Sequence, residues 1–328
     1  MSKKGKTGRR SNQIVPDDFV DKSNFTKNQN LLYDDVTKIF IQDCRIRNLS
    51  QYTIRSYQQK LGQFKDLIFE VEPNILPKDI RLEHIKDHII IRLLDEGRSE
   101  VTVNTLLRAV RTFFNFLHDE GYININPVER LKLLKENQKI VPTFNDEDLQ
   151  VLFAQPDLRT FTGVRDYTIM LLLLDTGIRV RELCDITVHD IDWKDNLITI
   201  QGKGFKQREV PMQTTLKRQL DKYVRLRGEL DTDALFTTID NLPITRRQVQ
   251  WRIKGYGKQA GIKNVRVSPH TFRHTFARLS IINGANVFAL QKILGHNTLE
   301  MVRRYVAMFS DEIALQHRKF SPVERLWR

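Results

Sequence analysis

Six residues scattered over the C-terminal half of this chain could act together on a phosphodiester. They are Arg179 in T-G-I-R-V-R-E-L, Lys203 in G-K-G, His270 and Arg273 in H-T-F-R-H, His296 in L-G-H-N and Tyr305 in R-R-Y-V. The arginines and the lysine are cationic at neutral pH, and the histidines can become so. Such groups stabilise the negative charge that builds on phosphate oxygens during substitution. A tyrosine hydroxyl can attack phosphorus and form a covalent intermediate, but its unperturbed pKa of about 10 means that neighbouring cations or a base must assist. The six types together describe a site that cuts and rejoins nucleic acid without a metal.

Taken singly, each has an ordinary explanation. Arg179 follows Gly177, which lets the chain turn sharply; its fork could hold two phosphate oxygens, or pair on the surface with Glu182 at i+3. Lys203 sits between two glycines at a hairpin tip, where it could donate a proton to a leaving 5′ oxygen or be a solvated charge. His270 and Arg273, three apart on a helix, share a face. His270 and His274 have the spacing of a zinc-binding helix, but Thr271 stands where that motif needs Glu, so His274 reads as a packing or hydrogen-bonding residue. His296 opens a turn before a possible cap, Asn297. Tyr305 follows Arg303 and Arg304, as many surface tyrosines do.

The elements around these residues are mostly helices. Residues 1–30 are polar, basic and without periodicity, and read as a flexible tail. From 31 to 128 the apolar spacing is helical: Val36, Ile39 and Phe40; then Ile54, Tyr57, Leu61 and Phe64 behind a Ser50 cap; a segment at 82–94; and a stripe from Val103 to Leu117 behind Ser99. Residues 129–143, with Arg130, Lys132, Lys135 and Lys139, read as a basic linker ending near Pro142. A second domain over 144–328 opens at an Asn145 cap. It continues with a helix over 164–175, strands at 197–201 and 208–212 joined by the Gly202–Gly204 turn, and helices at 216–226, 246–260, 270–283, 287–294, 299–309 and 311–319. The fold class is mainly α with a small antiparallel β-sheet: an all-α N-terminal domain and a mixed α+β C-terminal one.

The chain has 328 residues and a formal net charge of +13, which favours a polyanionic partner such as DNA, RNA or an anionic surface. Two cysteines, Cys44 and Cys184, make no disulfide framework and imply a reducing compartment. The longest apolar run, 169–174, is too short to span a bilayer, and no apolar stretch follows the basic N-terminus. A soluble, cytoplasmic protein is expected, with no membrane partner.

The order and spacing of the motifs carry more than any one of them. T-G-I-R-V-R-E-L, G-K-G-F-K-Q-R-E-V-P, H-T-F-R-H-T-F-A and L-G-H-N-T-L-E-M-V-R-R-Y occur in sequence, and S-Q-Y-T-I-R-S-Y-Q-Q-K-L and V-N-T-L-L-R-A-V-R-T-F-F-N-F-L precede them. With these stretches the chain closely resembles the tyrosine recombinases, or phage integrase family, over about residues 32–328. The resemblance implies a core-binding helical domain and a catalytic domain forming a C-shaped clamp on double-stranded DNA. It implies that Tyr305 forms a 3′-phosphotyrosyl link, that Arg179 and Arg273 clamp the non-bridging oxygens, and that Lys203 is the general acid. His270 would assist proton transfer, His296 would bond the phosphate, and Glu182 would orient Arg179. No metal or other cofactor is implied. Exchange would pass through a four-way junction on a homo-tetramer, assembled from free monomers or dimers, with an accessory protein possible and the C-terminal segment docking on a neighbour. The polar N-terminal segment, with no folded arm-binding domain, suits a simple two-domain recombinase of the chromosome-dimer-resolving or transposon-borne kind, the latter preferred. Two rivals stand beside this reading: a type IB topoisomerase, which shares the tyrosine and cationic pocket but relaxes supercoils as a monomer, and a DNA-binding regulator of the same fold without catalysis.

Overall fold

The computed structural model describes residues 30–136, 141–202 and 207–295. The tail at 1–29, Lys203, His296, Tyr305 and the helices expected at 299–309 and 311–319 lie outside the described residues. The chain divides into two compact units, Met1–Gln138 and Lys139–Arg328.

The first unit is helical. Helix α1 (Tyr33–Ile46) and α2 (Gln51–Phe69) are followed by α3 (Leu82–Ile85), which runs through a π-helical stretch, Lys86–Ile91, into α4 (Arg92–Asp95); α5 (Glu100–Asp119) comes last. Ser50 and Ser99 accept hydrogen bonds from the backbone N–H groups of Thr53 and Thr102, the cap geometry that serine before an apolar-periodic run favours. The apolar stripe of α5 turns Val103, Leu106, Leu107, Val110, Phe113, Phe114 and Leu117 inward, fully buried or nearly so. Phe113 and Phe114 meet Phe40 and Phe64 edge-to-face at ring-centroid distances of 5.5 and 5.8 Å, the arrangement that ring quadrupoles prefer.

The expected linker at 129–143 is corrected in its first part. Val128 and Leu131 are buried in the helical core, and Leu133 and Leu134 pack against it. Asn104, fully buried on α5, fixes this segment: its amide donates to the Leu134 carbonyl at 2.9 Å, and its carbonyl accepts from the Leu134 N–H at 2.8 Å. Arg108 adds an ion pair to Glu136. The basic side chains of this stretch suggest solvent along the sequence, but the leucines between them decide the packing.

The second unit opens on α6 (Asp146–Phe153), capped by Asn145 as expected. Helix α7 (Phe161–Thr176) is buried on most sides and packs against α9 (Thr214–Arg227) and α11 (Pro269–Ile282). A short helix, α8 (Val180–Asp185), follows α7 after a three-residue turn. Strands β1 (Ile191–Asp192), β2 (Leu197–Gln201) and β3 (Gln207–Pro211) form an antiparallel sheet in the order β1-β2-β3. The sequence shows the β2–β3 hairpin but not the two-residue β1. Helices α10 (Arg246–Gln259) and α12 (Val287–Leu294) complete the described elements. A buried polar group ties α10 to α7: Asp166 accepts from Arg165, Arg252 and the Tyr256 hydroxyl. Burial, with the Asp166 charge, pushes the Tyr256 phenol up to about 12, so it stays a neutral donor there. Among the described residues, no helix is long and apolar enough to cross a membrane.

Replacing Asn104 with Ala strands two backbone groups of Leu134. The expected cost is about 2–4 kcal/mol by urea denaturation, with new tryptic cleavage after Lys132 or Lys135. Unchanged stability and no new cleavage would show that this segment is held by other contacts.

Candidate active site

The turn between α7 and α8 builds the centre of the site. Helix α7 ends at Gly177, whose φ of 60° is left-handed, and its N–H donates to the Leu173 carbonyl at 3.0 Å. Glycine is needed here twice. Any other residue except Asn or Asp adopts this φ only with strain, and a Cβ would lie 2.3 Å from the Phe276 ring and 2.9 Å from Leu294. Ile178, next along, is fully buried and pins the turn, which leaves Arg179 emerging at the N-cap of α8.

Glu182, three residues on, reaches back. Its carboxylate accepts from the Arg179 backbone N–H at 2.8 Å and from the Arg179 guanidinium at 3.0 Å. The expectation that Glu182 orients Arg179 thus has a geometric counterpart. The two differ in depth: Glu182 exposes 6% of its side chain and Arg179 45%. A buried carboxylate holds one edge of a guanidinium that is otherwise open to solvent.

A third residue shares this carboxylate. Arg208 on β3 donates through Nη1 and Nη2 to both Glu182 oxygens, at 3.1 and 2.8 Å, and through Nε to the Ile293 carbonyl at 2.8 Å. In the sequence Arg208 lies within G-K-G-F-K-Q-R-E-V-P, a stretch that by itself assigns it no role. The signal was present: in the alternation of β3, Arg208 falls on the same face as the buried Val210, and a charged residue on a core-facing position needs a buried partner.

Arg273 lies deep beneath this network, 6% exposed. Its guanidinium donates to the Gly177 carbonyl at 2.6 Å and to the Leu294 carbonyl at 2.8 Å. These two carbonyls fix its plane. Among the described residues, Arg179 and Arg208 share the Glu182 carboxylate, and Arg273 is tied to the same turns through backbone carbonyls, so arginines dominate the described part of the site, as suits an anionic ligand.

His270 is exposed on the first turn of α11, which Ser268 caps and Pro269 opens. It shares a helix with Arg273 but not its depth. His274 is half-buried, and burial first, then the charges of His270 and Arg273, hold its pKa below the usual histidine range. The structure thus joins Arg179 and Arg208 through Glu182, ties Arg273 to the same turns through the Gly177 and Leu294 carbonyls, and leaves His270 exposed on the helix that bears Arg273. The described chain runs through Gly202 on one side of Lys203 and through Gly295 on the side of His296. Among the described residues, no group of three or more His, Cys, Asp or Glu could hold a metal.

Comparison with known proteins gives one picture. Residues 133–312 match the model of the phage integrase family, and residues 40–121 match that of the phage integrase N-terminal SAM-like domain. The tyrosine recombinase XerC of Thermodesulfovibrio yellowstonii is 33% identical over 264 residues, covering 78% of this chain and 85% of that protein. The tyrosine recombinase XerD of Staphylococcus haemolyticus is 30% identical over 281 residues, covering 84% and 94%. Among solved structures, the Tn1549 transposon integrase in complex with transposon right end DNA has a TM-score of 0.69 at 18% identity, covering 87% of this chain and 99% of that one. The XerH site-specific recombinase bound to palindromic difH substrate has a TM-score of 0.70 at 19% identity, covering 83% and 81%. These two likenesses concern the fold.

Two outcomes are expected. Gly177→Ala combines left-handed strain with a clash against Phe276, and should cost about 2–4 kcal/mol by urea denaturation; a loss under about 0.5 kcal/mol would contradict the tight turn. For Glu182, burial alone would raise the carboxyl pKa, but the Arg208 and Arg179 hydrogen bonds and charges outweigh it and hold it below the ordinary value of about 4.3. Its folded pKa is depressed, so its stabilising contribution is present above the unfolded pKa and lost as pH falls through the folded one. The stability gap between wild type and Glu182→Gln should therefore be full at pH 6 and narrow below about pH 4. A gap independent of pH over that range would contradict the ionised pairing.

Proposed function

The chain belongs to the phage integrase family of tyrosine recombinases, and from that premise we propose how its own residues divide the work. It is a site-specific recombinase, an enzyme that breaks and rejoins DNA strands. The residue roles, the assembly and the DNA contacts that follow are our reading.

The substrate is double-stranded DNA carrying a specific site. The Tyr305 oxygen attacks the scissile phosphorus, and the bond to the 5′ oxygen breaks as the 3′-phosphotyrosyl bond forms. The leaving 5′ oxygen takes a proton from Lys203, and the tyrosine proton passes towards His270. Arg179 and Arg273 neutralise the non-bridging oxygens, with His296 as a further donor. The 5′-hydroxyl of a partner strand then attacks the phosphotyrosine, restoring the phosphodiester and freeing Tyr305. The phosphodiester energy is kept in the tyrosyl link, so no high-energy cofactor enters, and the cationic side chains supply the charge stabilisation. Two such exchanges pass through a four-way junction and take four protomers, drawn together from monomers or dimers in the cytoplasm.

The observation that carries this reading is the cationic network around Glu182. It holds the exposed Arg179 on the buried Glu182, with Arg208 on the same carboxylate and the buried Arg273 on the adjoining backbone turns, next to the chain segments that lead to Lys203 and His296. Electrostatic stabilisation of this kind is worth about 10²–10³ in rate per donor removed.

The test begins with a duplex selected from a random-sequence pool by binding to the full chain, its cleavage point mapped, and a nick placed to trap the intermediate. The wild type should form a covalent complex in EDTA. Tyr305→Phe should form none while binding the duplex within about threefold of wild type, and Arg179→Ala should slow formation about 100–1000-fold. Strict dependence on a divalent ion, or recombination surviving Tyr305→Phe, would overturn the reading. Relaxation of a plasmid lacking the selected site, with no joint products, would point instead to the topoisomerase rival.

A further inference from the structure

We propose that Arg208 is a positioning residue of this recombinase, a strand-borne fork that holds the Arg179–Glu182 pair and the 293–295 turn in one geometry. The inference rests on the recombinase reading above and adds a residue to it.

Three donors of one planar group meet three acceptors on two other elements. Nη1 and Nη2 take both oxygens of Glu182 on α8, and Nε takes the carbonyl of Ile293 in the last turn of α12. The side chain is 11% exposed, so water does not replace these bonds at low cost. Glu182 in turn fixes the backbone and one guanidinium edge of Arg179. The Ile293 carbonyl lies one residue before the Leu294 carbonyl that holds Arg273. Arg208 is thus the residue bonded both to the carboxylate that orients one phosphate-facing arginine and to the turn that orients the other.

The fit around it is close. A Cβ on Gly295 would stand 3.0 Å from the Arg208 Cζ and Nη1, so the backbone at the end of α12 lies directly against the guanidinium. Gly295 has a left-handed φ of 63° and ends the described chain just before His296. Arg208 also sits in β3 opposite Ile200 of β2, and these two strands flank Lys203 in the sequence.

The charge balance explains why a second arginine is needed. Glu182 paired with Arg179 alone would largely cancel the charge that Arg179 is to offer a phosphate. A second fork shares the carboxylate, keeps it ionised in its buried site, and leaves Arg179 cationic. A lysine cannot reproduce this, because a single ammonium is a point donor and cannot present three coplanar N–H groups to a carboxylate and a carbonyl at once.

The test uses Arg208→Lys in the full chain, with the selected nicked duplex and a matched duplex bearing a 5′-bridging phosphorothiolate. In the latter the leaving group is a thiolate, which needs no general acid. The expected result is DNA binding within about threefold of wild type and covalent-complex formation slowed at least about 30-fold, by the same factor on both duplexes, with the loss not compounded in the Glu182→Gln/Arg208→Lys double variant. Cleavage within about threefold of wild type, weaker DNA binding that accounts for the whole loss, rescue by the phosphorothiolate, or additive losses in the double variant would each overturn the assignment. Rescue in particular would place Arg208 behind Lys203 instead. Should Arg208→Lys not fold, Glu182→Gln is put through the same two-duplex comparison, with the same expected and contrary results. A wild type that forms no covalent complex would sink the recombinase reading itself, whereas a wild type that cleaves beside an equally active Arg208→Lys sinks only this inference.

Discussion

The second unit is organised around one buried carboxylate. Glu182 gives up most of its hydration, a cost of several kcal/mol for an isolated ion, and regains it through two guanidinium groups and a backbone N–H. The backbone N–H and one guanidinium belong to Arg179 and the other guanidinium to Arg208 on β3, so satisfying one charge fixes two stretches of chain together. The α7–α8 turn, strand β3 and the end of α12 are all placed by bonds to Glu182 or to its partner Arg208. Arg273 closes the same assembly from below by bonding carbonyls on two of these stretches.

This arrangement separates the part of the site that must be rigid from the part that must meet a ligand. Gly177, Ile178, Arg273 and Glu182 are buried, Arg273 being bonded to the Gly177 carbonyl, whereas Arg179 and His270 face solvent. A cation held on one edge by a buried anion keeps its direction without the entropy loss of ordering a free surface side chain at each binding event. Apolar packing supplies the frame: Phe144 and Phe272 meet at a ring-centroid distance of 5.1 Å, and the Phe144 N–H donates to Thr275 on the helix that bears Arg273.

Legibility in the sequence followed the length and periodicity of each element. The stripe of α5 with its Ser99 cap, the Asn145 cap and the β2–β3 hairpin were readable, because capping chemistry and alternation act locally. Helix α8 and strand β1 were not: six and two residues carry too little periodicity to show in the sequence. Residues 129–136 mislead in the other direction, since their charges suggest a spacer while Leu131 inserts into the core and Leu133 and Leu134 pack against it. In the site, Arg179 and Glu182 were readable as an i+3 pair. The partnership of Arg208 with Glu182, 26 positions away in sequence, is a tertiary fact. Only the inward parity of β3 hinted at it. The depth of Arg273 and the exposure of His270 likewise come from packing, not from the spacing that places them on one helix.

The central claim is that this cationic network serves a covalent link between Tyr305 and DNA. The most direct measurement is mass spectrometry of the wild-type complex formed in EDTA on the nicked selected duplex, after digestion with nuclease and trypsin. A phosphonucleotide adduct on the peptide that begins at Tyr305, localised to that tyrosine, is the predicted result. An adduct on another residue, or cleaved DNA with no adduct at all, would contradict it.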